Sequence, residues 1–220
     1  MLEEWILKIR QNSRYYSPET WKFRISGNLI EFSVPQKYTF DKKVYRCSVI
    51  TIGQILKALS CKIENAGFHF LIQSYPNFES PQVIASIRME DEPPKNHNPF
   101  PVITDYTKYK KEHEKLQLLS DNYHFTISVA GASETIMLQN YYSVISSDIW
   151  YILTSKSDNP FNWLKLGSWK ETILKNCRNE LSLESPQIFD SCLNREPREL
   201  NLKLPENEYF QALLATRSLD

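Results

Sequence analysis

The side chains able to carry chemistry are spaced so that most motif-based mechanisms drop out. His69, His97, His113 and His124 form no H-E-x-x-H, and no H-x-E followed by C-x-x-C. A zinc hydrolase or deaminase is therefore not expected, and no metal site is read. Cys47, Cys61, Cys177 and Cys192 include no C-x-x-C pair. Cys61 with His69 or His124 could form a thiolate pair, but a buried structural thiol and a satisfied histidine are the simpler reading. The five glycines, at 27, 53, 67, 131 and 167, are too far apart for G-x-G-x-x-G or G-x-x-x-x-G-K-[ST]. That removes a Rossmann turn and a P-loop. No G-x-S-x-G elbow occurs either, and no catalytic residue follows from these patterns.

The elements that must position the remaining side chains are legible from periodicity. Glu3 to Asn12 reads as a short helix with Trp5, Ile6 and Ile9 on one side. Residues 21–25 and 29–34 alternate around Gly27-Asn28, the pattern of a β-hairpin. Val49, Ile52, Leu56, Leu59 and Ile63 predict a helix from Ser48 to Ala66, capped by serine and ended by Gly67. Strands are predicted at 68–74 and 82–89, an irregular excursion at 90–104, a polar helix at 106–119 and a strand at 123–130. Residues 132–146 are ambiguous between helix and loop. Asp148 to Thr154 is a continuous apolar run suited to a central strand. Pro160 opens a helix reaching about Glu180, and Glu208 to Thr216 forms a last strand. Gly167 inside a helix costs about 1 kcal/mol against alanine, so close approach of another group is expected there. The mixture lacks strict βαβ alternation, which points to an α+β class in a single domain over residues 1–220 without internal repeats.

Composition sets the outer limits. With 220 residues, 41% apolar and 24% charged, the chain can bury a core without staples. Acidic and basic residues balance at 26 each, so no overall field favours nucleic acid or an anionic membrane. The densest basic patch, Lys108, Lys110 and Lys111, lies among Glu112 and Glu114 and reads as a solvated face. No run approaches the ~20 apolar residues a membrane helix needs. Acids precede the apolar residues at the start, unlike a signal peptide, and the cysteines are read as reduced thiols. These readings predict a cytoplasmic protein.

Longer segments carry a resemblance. RQNSRYYSPETWKFRISGNLIEFSV closes a polar loop on Trp21 and continues as strand, Gly-Asn turn and strand. FDKKVYRCSVITIGQILKALSCKIENAGF adds an aspartate, an arginine and a glycine-containing helix. ILTSKSDNPFNWLKLGSWKETILKNCRNELSLESPQIF brings a strand ending in threonine, an Asp-containing turn, Trp-Leu-x-x-Gly, a long helix and a strand bearing Gln187; REPREL and YFQALLATRS follow. In order and spacing these segments, a little over half the chain, resemble the FMN-binding nitroreductase family in its divergent Acg-type branch.

The resemblance implies a central mixed or antiparallel sheet flanked by helices, an intertwined homodimer, and FMN held between subunits. It implies hydride transfer from NAD(P)H through flavin to a small-molecule acceptor, with the cofactor carrying the hard chemistry. Carried over by position, Arg10 and Arg14 stand where family arginines approach phosphate and ribityl groups. Ser17, Glu19 and Trp21 occupy the loop near the isoalloxazine, and Gln187, Arg198 and Arg217 match later positions serving phosphate or structure. Each has a plainer reading. Arg10 and Arg14 could complement a helix dipole, Trp21 could be core, and Arg198 and Arg217 could be surface ion pairs. Glu19 departs from the family's glutamine by placing an acceptor-only anion where the ring wants donors. Residues 98–112 offer lysines in place of the family's central arginines. These departures open the alternative of a catalytically inactive protein of the same fold that sequesters flavin or acts as a binding module.

Overall fold

Alternating apolar and polar residues on either side of Gly27 build the first hairpin, as the period-2 pattern requires. A computed structural model describes residues 1–11, 18–76, 82–92, 112–142, 149–176, 183–190 and 202–218. β1 (Lys22–Ser26) pairs antiparallel with β2 (Leu29–Ser33), and Gly27 turns between them at φ +60°. Glycine adopts that left-handed conformation without a Cβ penalty. Before the hairpin come α1 (Leu2–Arg10), which buries Leu2, Ile6 and Ile9, and one 3-10 turn, Pro18–Thr20.

After the short α2 (Gln36–Thr39) runs α3 (Lys42–Asn65). It begins at Lys42 rather than at Ser48, because Asp41 supplies the cap. The Asp41 carboxylate accepts from the backbone N–H of Lys43 and of Val44, each at 3.0 Å. Ser48 lies inside the helix and donates its hydroxyl to the Val44 carbonyl at 2.8 Å. Gly67, at φ +83°, follows the helix end as expected. Every residue from Arg46 through Cys61 is buried, so α3 is enclosed around its whole circumference. β3 (His69–Ser74) and β4 (Val83–Glu90) complete a sheet of order β1-β2-β4-β3, antiparallel throughout.

The rest of the described chain runs α4 (Glu112–Asn122), β5 (Thr126–Val129), α5 (Ala132–Tyr142), β6 (Ile149–Ser155), α6 (Pro160–Asn176), β7 (Leu183–Asp190) and β8 (Tyr209–Ser218). The ambiguous segment is thus helical at 132–142. Its first-turn acid Glu134 accepts the Gly131 N–H at 2.8 Å and the Lys203 N–H at 3.1 Å. Trp150 through Ser155 are all buried, as the apolar run predicts for a strand covered on both faces. Pro160 occupies the first helical position of α6, and Asn159 accepts the Asn162 N–H at 3.0 Å. The sheet order is β5-β6-β8-β7, again antiparallel.

The α+β class therefore holds, while the single central sheet is corrected: the described residues form two four-stranded antiparallel sheets. By packing, the chain divides into two compact units: Met1–Pro101 with Trp163–Glu171, and Val102–Asn162 with Thr172–Asp220. No repeat is legible in the sequence, yet replacing β1–β4 by β5–β8 reproduces the strand order, with a long helix between the second and third strands in each case. Cys47 is disulfide-bonded, which corrects the reading of four reduced thiols; Cys61 is free and buried. Residues 93–104 of the irregular excursion lie outside the described residues. Among those described, no helix is long and apolar enough to cross a membrane.

Within the first unit, the middle of α6 meets α3 at paired glycines. A Cβ on Gly53 would overlap the Leu164 carbonyl oxygen. One on Gly167 would overlap the Ile50 carbonyl oxygen and stand 2.8 Å from the Gln54 nitrogen and 2.9 Å from Gly53 Cα. The close approach expected at Gly167 is backbone against backbone.

Candidate functional site

Helix α1 ends at Arg10, and its last turn brings the guanidinium over the indole of Trp21, 5.7 Å from the ring centroid. A contact of this type at an exposed cation contributes about 0.5–1 kcal/mol. Arg10 Nη2 also donates, at a long 3.4 Å, to the Pro18 carbonyl. Trp21 follows directly on the 3-10 turn, is 1% exposed, and packs tilted against Phe32 at 6.5 Å. Its indole Nε1–H is buried yet makes no hydrogen bond among the described residues. Leaving such a donor unpaired costs about 1–3 kcal/mol, so it is a place where an acceptor from outside the chain would be favoured. Glu19, in the same turn, is exposed.

The structure thus gathers Arg10, Glu19 and Trp21 at the α1–β1 junction. Gln187 and Arg217 belong to the neighbouring strands β7 and β8 of the second unit, both exposed, with Gln187 opposite Ala215. Arg14, Ser17 and Arg198 lie outside the described residues. Among the described residues there is no group of three or more His, Cys, Asp or Glu able to hold a metal ion.

A second concentration of chemistry in the first unit was not legible beforehand. Arg46 is buried, its guanidinium 5.3 Å over the ring of Trp163, and Tyr45 meets the same ring edge-on at 6.0 Å. Tyr75 takes a left-handed backbone conformation, φ +51°, rare for an aromatic residue. Burial, and then the neighbouring Tyr45 hydroxyl, push its phenol far above the ordinary tyrosine range. The only advance signal was an arginine beside an apolar helical stripe.

No family model matches the chain, and no curated protein matches it.

The second unit concentrates its polar groups at the turn from β6 into α6. Asn162 Nδ2 donates to the Ser157 carbonyl at 2.7 Å and to its hydroxyl at 2.9 Å, and Gln211 Nε2 donates to Ser155 Oγ at 2.9 Å. These donors and acceptors satisfy one another, so the turn is a structural joint. In the same unit the rings of Tyr142, Trp150 and Phe189 cluster, with centroids 4.3 Å apart for the tilted pair Tyr142–Phe189 and 5.6 Å for the stacked pair Trp150–Phe189. Burial first, then Tyr141 and Asp190, push the Tyr142 phenol up to about 12.

Proposed function

We propose that this chain is an FMN-dependent oxidoreductase of nitroreductase type, passing hydride from NAD(P)H through flavin to a small acceptor. The observation that carries the reading is the pairing of the Arg10 guanidinium with the buried, unpartnered Trp21 indole N–H. Both groups only donate, which suits phosphate or the carbonyl-bearing edge of a flavin. The segments quoted above supply the family resemblance. In this reading Arg10 holds the anionic part of FMN and Trp21 donates to an acceptor atom beside it. FMN, when bound, supplies the redox chemistry. A homodimer of the 25.9 kDa chain is the assembly that goes with it.

The test is direct. Purified protein incubated with FMN and desalted is expected to keep the flavin absorption bands, and to oxidise NAD(P)H when a quinone or nitroaromatic is added. Protein that stays colourless after loading would end this reading. Glu19 favours a second one, because an exposed carboxylate stands where a donor is wanted. A protein that retains flavin yet consumes no NAD(P)H would be a flavin-sequestering relative. Light scattering at twice the chain mass would support the dimer.

A further inference from the structure

We draw no further inference here: the strongest candidate, the ring cluster of Tyr142, Trp150 and Phe189 in the second unit, half-buried at Tyr142 and Phe189 and holding a buried Trp150 indole N–H that makes no hydrogen bond among the described residues, carries nothing because nothing in the structure shows what covers it.

Discussion

The two sheets share one strand order but are held by different packing chemistry. In the first unit, backbone meets backbone: α3 and α6 touch at Gly53 and Gly167, with no room for a methyl group on either side. Around that contact α3 keeps Arg46, Gln54 and Lys57 buried along with its apolar residues. In the second unit the core is a stack of rings, Tyr142, Trp150 and Phe189, on Leu138, Ile152, Leu213 and Ala215. The order of strands therefore does not prescribe how a core is filled. Steric exclusion in one unit and ring burial in the other serve the same topology.

The sharpest way to break this contrast is to put a side chain into the helix crossing. Gly53→Ala and Gly167→Ala each gain up to about 1 kcal/mol of helix propensity. Each also forces a methyl group onto a backbone carbonyl, which cannot move without displacing its helix. Overpacking of rigid backbone should dominate, with a net loss of about 3 kcal/mol or more in urea unfolding. Gly27→Ala is the control: nothing lies within 4 Å of its Cβ position, so only left-handed strain of about 1–2 kcal/mol applies. Equal losses at positions 27 and 53 would show that the crossing is not tight.

How much of this was legible in the sequence follows from the kind of force involved. The hairpin at Gly27, the strand at 149–155 and the proline start of α6 were readable, because local periodicity and turn chemistry determine them. The start of α3 was misplaced, because Ser48 looks like a cap while the functioning cap, Asp41, stands before a stretch with weak apolar patterning. Gly167 announced a close approach but could not name Gly53 as its partner, since that contact joins residues far apart in the chain. The candidate site was legible in part. Arg10 and Trp21 meet as neighbours across one turn, whereas Gln187 and Arg217 belong to strands of the other unit, and Arg46 passed unnoticed within an apolar helix. Burial of a polar side chain is a tertiary fact with no local signature.

Alkaline titration sharpens the contrast next. Both units bury phenols whose neutral forms are favoured in the folded state, Tyr75 in the first and Tyr142 in the second. A phenol whose folded pKa is raised binds its proton more tightly folded than unfolded. Its contribution is fully present below the unfolded value near 10 and is lost as pH rises toward the folded one. For Tyr142 that window runs from about 10 to about 12. Partial exposure screens the effect, so about 1–2 kcal/mol is expected. Tyr142→Phe should flatten the fall of stability across that window, leaving the slope due to Tyr75, which continues to higher pH. An unchanged slope in Tyr142→Phe would mean that the ring stack does not seal this hydroxyl from water.

The smallest expected effect concerns how the two long helices begin. Asp41 caps α3 with a charged carboxylate that accepts two N–H groups, whereas Asn159 caps α6 with a neutral amide that accepts the Asn162 N–H and donates to Ser157 Oγ at 3.3 Å. Replacing either by alanine removes the cap and should cost about 1 kcal/mol. The exchange of cap types separates the two ends. Asp41→Asn keeps the acceptor and loses only the charge facing the helix dipole, so a loss of about 0.3–1 kcal/mol that shrinks in salt is expected. Asn159→Asp gains the same dipole term but gives up the donor to Ser157, and the two changes should nearly cancel. A cap at α6 that improved by a full kcal/mol on becoming aspartate would show that the Ser157 contact contributes nothing, and that both helices start by the same electrostatic device.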